Sequence, residues 1–412
     1  DWSEWEKQNA ERLARESEKS FWWNPNWKKF KDEATDPKNY LSGDACDHFH
    51  RYREDFDILN SLNLNAYSFS IEWSRIEPEE GIFDERALNH YRDMVAELRK
   101  RGIDPFVTLW HWTLPLWLAK KGGWENKRTI DYFVRYATQV TQALGNEVKF
   151  WMPLNEPGTY VGMSYIQGAF PPQKRLALWT ANRVFKNLMR AYRETYQVIH
   201  QHLPEAQVGM SHYAVYMLPY KNTWGNRMLV RILDYIRNWR FLDAINNTND
   251  FIGIQFYHTD HIKIAPLWNG RWGLIDVENP HAWITDMGWD VYPEGLYYLL
   301  KRAAKYKKPI YITENGIADA LLQDENREKF IREHLLRVHR AIEEGVDVRG
   351  YFYWSLLDNF EWDKGYWPRF GLVAVDRTTQ TRTVRRSARM YGEIAKENAL
   401  PSNPHLEAQL PS

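Results

Sequence analysis

The stretch Ile310-Tyr311-Ile312-Thr313-Glu314-Asn315-Gly316 carries the pattern that decides the fold. Its first four residues are apolar, aromatic or β-branched with no polar alternation, which is typical of a strand buried on both faces of a parallel sheet. An amphipathic helical pattern over 293–305 precedes it, and another over 327–344 follows it. The stretch therefore predicts one strand of a strand-and-helix repeat, with a carboxylate at the point where the strand ends.

The same unit recurs along the chain. Further runs of this kind lie at 66–70, 106–110, 150–154, 207–211, 251–257 and 348–354, with helical patterns at 85–101, 129–144 and 183–202 between them. Strands that alternate with helices imply right-handed crossovers and a parallel sheet. The pattern predicts an α/β fold, a (β/α)8 TIM barrel, whose first strand is missing.

The first strand is the missing one because residues 1–64 contain helical stretches at 3–20 and 50–62 around a Trp-rich loop, but no convincing leading strand. No stretch of Pro, Ser and Gly is long enough to link two domains. We therefore expect residues 1–412 to form a single barrel domain, to which 1–64 contribute a loop and helices.

Bulk properties exclude several classes of protein. Lys plus Arg equals Asp plus Glu at 54 each, so the formal net charge is zero. This balance argues against nucleic acid or an anionic membrane as partner, since either would need a basic surface. No apolar run reaches the roughly 18 residues of a membrane helix.

The single cysteine, Cys46, allows no internal disulfide and fits a reducing compartment, so we expect a cytoplasmic protein. The sequence leaves the oligomeric state open.

Aromatic residues are unusually frequent, with 21 Trp, 24 Tyr and 18 Phe. Sugar rings present flat C–H faces that stack on indole, so carbohydrate sites recruit tryptophan. A large core also uses many aromatic side chains, because each buries about 150–250 Å². Composition alone leaves both interpretations open.

The active residues of such barrels lie at the carboxyl ends of strands. Two glutamates follow strands directly, Glu156 in Leu154-Asn155-Glu156-Pro157 and Glu314 in the stretch quoted above. They fall after the fourth and seventh strands of a full barrel, on opposite walls of one mouth. Glycoside hydrolysis uses two carboxyl groups placed in this way across a sugar. Other polar residues at predicted strand ends are Glu72, Arg75, His111, Asn155, His212, Tyr257, Asn315, Asp358 and Glu361.

The segment Cys46-Asp47-His48-Phe49-His50 is rich in potential metal ligands. Structural zinc sites draw paired ligands from two segments, and no second pair is evident here. We expect no metal and no cofactor. His212 is expected to be a core histidine.

Several longer motifs carry a family resemblance. They are Gly43-Asp44-Ala45-Cys46-Asp47-His48-Phe49-His50, Phe69-Ser70-Ile71-Glu72-Trp73-Ser74-Arg75-Ile76, Thr108-Leu109-Trp110-His111-Trp112-Thr113-Leu114-Pro115, Asn155-Glu156-Pro157, Thr313-Glu314-Asn315-Gly316 and Tyr353-Trp354-Ser355-Leu356-Leu357-Asp358-Asn359-Phe360-Glu361-Trp362. With these motifs in this order, the chain resembles glycoside hydrolase family 1, the β-glucosidase and β-galactosidase family, from about Trp2 to Leu400.

The resemblance implies a retaining exo-β-glycosidase that acts through a covalent glycosyl-enzyme. It implies that Glu156 is the general acid/base and Glu314 the nucleophile. The residues that it implies for substrate binding are His111, Asn155, Tyr257, Trp354, Glu361 and Trp362, with Tyr257 hydrogen-bonded to the nucleophile. The carboxylate of Glu361 would repel a 6-phosphate, so the expected substrates are non-phosphorylated β-D-glucosides, β-fucosides or β-galactosides, as small glycosides or oligosaccharides.

Three positions depart from the family pattern. Ser68 stands where the family usually has Arg near the nucleophile, Gln255 where Asn is usual, and Gly158 where a Trp is common. Together with the missing strand, Ser68 motivates a second hypothesis, a weak or inactive barrel that only binds sugars or partners. A transglycosylase is a third hypothesis.

Overall fold

Seven parallel strands form the central sheet of the computed structural model, which describes residues 1–263, 283–321 and 324–400. In their order across the sheet they are β1 (Ala66–Ser70), β2 (Asp104–Thr108), β3 (Phe150–Met152), β4 (Gln207–Tyr213), β6 (Phe251–Phe256), β8 (Ile310–Asn315) and β9 (Val348–Tyr353). Every neighbouring pair is parallel. The predicted barrel of parallel strands is confirmed.

Two small pairs of strands lie outside this sheet. β5 (Tyr216–Pro219) runs parallel to β7 (Thr259–Ile262), and β10 (Val373–Val375) is antiparallel to β11 (Arg382–Val384).

Helices surround the sheet and connect its strands. They are α1 (Trp2–Phe21), α2 (Trp27–Ala34), α3 (His48–Ser61), α4 (Trp73–Ile76), α5 (Glu85–Lys100), α6 (Leu116–Lys120), α7 (Thr129–Leu144), α8 (Pro157–Val161), α9 (Leu178–His202), α10 (Trp224–Asp234), α11 (Arg240–Ile245), α12 (Pro293–Ala303), α13 (Glu325–Glu343) and α14 (Arg386–Glu397). Helix α7 illustrates why they form, because Ile130, Phe133, Ala137, Val140 and Leu144 recur at helical spacing and are all buried.

One predicted strand begins at the wrong place. The sequence predicted 106–110, whereas β2 begins at Asp104 because Ala66 pairs with Asp104 and Tyr67 with Pro105. Pro105 resembles a breaker in the sequence, but a proline is tolerated near the start of a strand.

The interior of the barrel is filled by aromatic rings. Phe106 and Phe150 stack with their centroids 4.1 Å apart, and Phe251, Tyr311 and Phe352 pack edge-on around them. This layer gives the site a rigid floor, since close-packed rings resist displacement.

The sheet is open between β1 and β9. Among the described residues, no strand pairs with the outer edge of either one. A cavity of about 860 Å³ is lined by both edges, including Ser68 and Phe352, and it reaches Glu314 at the carboxyl end of the strands. Residues 1–64, for which the sequence predicted a loop and helices, contain α1 to α3 and no strand.

None of the helices in the described ranges combines the length and hydrophobicity needed to cross a bilayer.

Candidate active site

Glu314 is the second-last residue of β8, at a point where the pairing of β8 with its neighbouring strands is irregular. Gln255 of β6 pairs with Glu314 after a register shift, and a second shift occurs between β8 and β9. Bulges of this kind re-aim side chains and are common beside active sites. Gly316, the first residue after β8, approaches the Trp354 carbonyl so closely that a Cβ would lie 2.0 Å from its oxygen. Glycine is therefore required for β8 and β9 to meet at this rim.

Glu156 lies at the opposite wall, between β3 and α8. Its backbone is left-handed, with φ of 40°, and Pro157 begins the helix directly after it. Its amide donates a hydrogen bond of 3.0 Å to the Ser211 carbonyl of β4. A left-handed non-glycine residue is costly, and such residues cluster at functional sites. The side chain is buried, with 5% of its surface exposed.

A chain of hydrogen bonds fixes Asn155 beside Glu156. The Asn155 Nδ2 lies 3.0 Å from His111 Nε2, and His111 Nδ1 lies 3.1 Å from Ser70 Oγ. On the other side, Gln255 Nε2 donates to Asn155 Oδ1 at 3.0 Å. Burial lowers the pKa of His111 to about 4, so its ring is neutral and can accept from Asn155 while donating to Ser70.

Tyr257 is the direct partner of Glu314. Its hydroxyl donates to Glu314 Oε2 at 2.6 Å. Among the described residues, no lysine or arginine forms an ion pair with Glu314. The carboxylate is thus supported by a neutral donor rather than by a cation.

Three carboxyl groups act on one another at this mouth. Burial raises the pKa of Glu156 to about 8, Thr159 opposes the rise and Glu361 adds to it. Burial raises the pKa of Glu314 well above its usual value, the charge of Glu156 and then Glu361 add to this, and the Tyr257 hydroxyl opposes it. Burial also raises the pKa of Glu361 to about 7. The repulsion expected between the two strand-end glutamates is therefore present at Glu314.

The third side of the mouth is aromatic. Trp354 Nε1 donates to Glu361 Oε2 at 3.4 Å, and Trp362 lies 5.4 Å from the His111 ring between centroids. These two tryptophans and Glu361 follow β9 as the sequence predicted, so all eight predicted site residues converge on one rim.

Sequence reasoning missed the residues behind this wall. Trp362 packs at 4.7 Å on Trp2 of α1 and at 4.8 Å on Trp112, and Phe170 packs on Trp112 at 5.3 Å. The high tryptophan content was the signal, but it cannot indicate which rings meet, since α1 and the loop after β9 are far apart in sequence.

Other strand-end residues have structural roles. Glu72 caps α4 by accepting from the Ser74 amide at 3.0 Å. Asp358 forms a buried two-pronged ion pair with Arg385. His212 is buried with 2% exposure, but neither of its ring nitrogens makes a hydrogen bond of normal geometry with the described residues.

The metal-ligand-rich segment also has a structural role. His48 pairs with Asp55 at 2.8 Å within α3. In the part of the chain that the structure describes, no three His, Cys, Asp or Glu side chains are grouped so as to hold a metal ion.

The three departures from the family pattern each have a definite place. Ser68 lines the cavity that reaches Glu314. Gln255 holds Asn155, as described above. Gly158 faces the backbone of Arg237, whose carbonyl oxygen would lie 4.0 Å from a Cβ at that position.

Comparison with known proteins gives a consistent result. The profile of glycosyl hydrolase family 1 matches residues 19–245 and 233–400. Beta-glucosidase A of Thermotoga maritima is 33% identical over 414 residues, which cover 91% of this chain and 92% of that protein. A beta-glycosidase from Pyrococcus horikoshii superposes with a TM-score of 0.83 at 40% identity and 89% coverage of both chains.

A solved complex lies among the similar structures. The Thermotoga maritima beta-glucosidase bound to glucoimidazole superposes with a TM-score of 0.81 at 33% identity, covering 86% of this chain and 88% of that one.

Proposed function

The chain belongs to glycosyl hydrolase family 1, and on that premise we propose that Glu156 and Glu314 are the acid/base and the nucleophile of a retaining β-glycosidase. The observation that carries the proposal is the convergence of Glu156, Glu314 and Glu361 on one buried rim, close enough for Glu156 and Glu361 to raise the pKa of Glu314. Two carboxyl groups of separate function are the minimum for hydrolysis with retention.

In the first step Glu314 attacks the anomeric carbon. The Tyr257 hydroxyl occupies Oε2, so Oε1 is the oxygen free to form the glycosyl bond. Glu156, which has a pKa of about 8, is protonated at neutral pH and gives its proton to the departing oxygen. The C–O bond to the leaving group breaks as the ester bond forms.

In the second step water replaces the leaving group. Glycosylation of Glu314 removes the negative charge from that wall, so the anionic form of Glu156 becomes easier to reach. Glu156 then takes a proton from the water that attacks the anomeric carbon, and Glu314 leaves as a carboxylate. Both displacements invert the centre, so the product keeps the β configuration.

Asn155 is suited to hold the sugar beside the reacting carbon. One N–H of the Asn155 amide donates a hydrogen bond to His111, and the amide oxygen accepts one from Gln255. The second N–H can therefore donate to a sugar hydroxyl. A hydrogen bond that strengthens as the ring flattens lowers the barrier.

Glu361 and the two tryptophans select the outer hydroxyls of the sugar. The carboxyl group of Glu361 can accept hydrogen bonds from two neutral sugar hydroxyls. A phosphate at the 6-position would instead bring a second negative charge next to Glu361. We propose that non-phosphorylated β-glucosides, β-fucosides and β-galactosides are the substrates. We also propose one catalytic domain, and a cytoplasmic location that rests on the single cysteine.

The test is turnover of nitrophenyl β-glucoside, β-galactoside, β-fucoside and 6-phospho-β-glucoside by the wild type and by Glu314→Ala. Glu343→Ala, on the surface of α13, is the matched control. We expect hydrolysis of the neutral glycosides by the wild type and the control, and a loss of about 10³-fold or more in Glu314→Ala. Equal and very slow rates for wild type and Glu314→Ala would support the inactive sugar-binding barrel instead.

A further inference from the structure

A chain of charged and polar groups lies directly beyond Tyr257. His258 follows it and separates β6 from β7, and His258 Nε2 lies 3.0 Å from Asp260 Oδ1 in β7. Asp260 Oδ2 in turn accepts from Arg237 at 2.6 Å. Burial alone would raise the pKa of Asp260, but His258 and Arg237 hold it well below its usual range. The carboxylate is thus a fixed anion between two partners.

The imidazole of His258 is also fixed on its other side. The Tyr213 hydroxyl lies 3.0 Å from His258 Nδ1, so both ring nitrogens are hydrogen-bonded. The ring plane stacks on Trp289 at 5.0 Å with only 18° between the planes. With 8% of its surface exposed, His258 has no freedom to rotate without breaking these contacts.

The groups that His258 holds are the ones that enclose Tyr257. Trp289 packs on the Tyr257 ring at 5.4 Å and Tyr213 packs on it at 6.2 Å, while Phe370 closes the edge at 6.1 Å. The hydroxyl at the end of this enclosed ring is the donor to Glu314. A ring held on several sides keeps its hydroxyl within a narrow range of positions, which a hydrogen bond of 2.6 Å requires.

We propose that His258, locked by Asp260 and Arg237, is a positioning residue that holds Tyr213 and Trp289 against Tyr257 and so fixes the donor of the nucleophile. The inference rests on the proposed function of Glu314. His258 touches no reacting atom; it acts through Tyr257.

The chain contains a matched control at the other end of the barrel. Asp250, just before β6, accepts from Tyr196 at 2.7 Å and lies 2.8 Å from His200 Nε2. Asp250, His200 and Tyr196 thus form a cluster of the same residue types as Asp260, His258 and Tyr213, but none of them packs on Tyr257. Asp250→Asn therefore removes the same chemistry at a comparable structural cost.

The experiment is a double-mutant cycle on nitrophenyl β-glucoside hydrolysis with Asp260→Asn, His258→Phe, Tyr257→Phe and the combinations with Tyr257→Phe. We expect Asp260→Asn to lower kcat about tenfold with KM nearly unchanged, because a misplaced donor affects the transition state more than sugar binding. We expect Asp250→Asn to change kcat less than twofold. His258→Phe keeps a ring on Trp289 but loses both hydrogen bonds, so its kcat should fall as that of Asp260→Asn does. Thermal unfolding of each variant confirms that it is folded at the assay temperature.

The inference requires that Asp260→Asn have no further effect once Tyr257 is Phe. Additive losses would overturn it, since Asp260 would then act by another route, and so would an Asp260→Asn variant that behaves like Asp250→Asn. A failure of the proposed function is distinguishable, because Glu314→Ala would then be as active as the wild type whatever the cycle gives.

Discussion

At the scale of single residues, Glu314, the proposed nucleophile, forms no ion pair with any lysine or arginine that the structure describes. Burial, Glu156 and Glu361 all raise the pKa of Glu314, and the Tyr257 hydroxyl opposes the rise. Attack requires the carboxylate, so activity falls as pH decreases through this raised pKa. Activity also falls as pH increases through about 8, where Glu156 loses its proton. We expect a bell-shaped pH profile whose acid limb lies above the ordinary pKa of a glutamate.

Ser68→Arg tests this electrostatic setting. Ser68 lines the cavity that reaches Glu314, and that cavity has room for a longer side chain. A guanidinium there would favour the charged form of Glu314, so the acid limb of kcat/KM should move to lower pH by about one unit or more, while the limb near pH 8 stays. Ser68→Gln, of similar reach and no charge, should leave the acid limb in place. An unchanged acid limb in Ser68→Arg would show that Ser68 does not control the charge on Glu314.

Glu156→Gln tests the acid role through the leaving group. A dinitrophenolate departs without a proton, whereas an alkyl or phenyl leaving group needs one. We expect glycosylation to fall by about 10²–10⁴-fold for phenyl β-glucoside and by less than tenfold for dinitrophenyl β-glucoside. Equal losses on both substrates would contradict the assignment of Glu156 as the acid.

The sequence predicted the positions of the candidate carboxyl groups better than the hydrogen bonds around them. Glu156, Glu314 and Glu361 stand in recognisable contexts at the ends of strands, so their convergence follows from the barrel alone. Ser70, Gln255 and His258 act through contacts between strands that are far apart in sequence. No local pattern specifies which side chain of one strand faces which side chain of the next.

At the scale of elements, α1 supports the sugar site from outside the barrel. The helix was predicted over 3–20 and observed over Trp2–Phe21, because its apolar residues recur at helical spacing. Its docking position was not predictable, since it depends on Trp2 meeting Trp362 at 4.7 Å. The side chain of Asp1 also accepts from the Leu114 amide at 2.8 Å, which ties the start of α1 to the rim.

Trp2→Ala tests the contribution of this contact. Removing the ring leaves Trp362 unsupported on one side, so we expect KM for nitrophenyl β-glucoside to rise about 3–10-fold with a smaller change in kcat. Trp22→Ala is the control, because Trp22 caps the other end of α1 and is 70% exposed. If Trp2→Ala and Trp22→Ala have the same KM, the aromatic wall does not need α1.

At the scale of the whole molecule, the described strands leave the sheet open between β1 and β9. Among the described residues, β1 and β9 are the edge strands of the sheet, and both line one cavity. The number and order of the strands were predictable from the repeating unit. The size of the opening was not, because it depends on how far β1 and β9 separate.

A variant with an added strand tests whether the opening is shaped for one. An extended segment of about eight β-branched residues, joined to Asp1 by a flexible Gly/Ser linker, could pair with both edges, because the Asp1 side chain is hydrogen-bonded to Leu114 at the rim where a parallel strand would end. We expect the Tm to rise by several degrees relative to the unextended chain. The control carries proline at alternate positions of the segment, which cannot pair along a sheet. Identical Tm values for the two extended variants would mean that the segment does not enter the opening.

The central claim is a covalent sugar on Glu314, and trapping that intermediate tests it most directly. A dinitrophenyl 2-deoxy-2-fluoro-β-glucoside reacts in the first step but is released slowly in the second, because fluorine destabilises both transition states. Peptide mass spectrometry of the inactivated protein should locate one fluoroglucosyl group on Glu314 and none on the Glu314→Ala variant. A label on Glu156, or steady hydrolysis with no label and release of the α-anomer, would contradict the account.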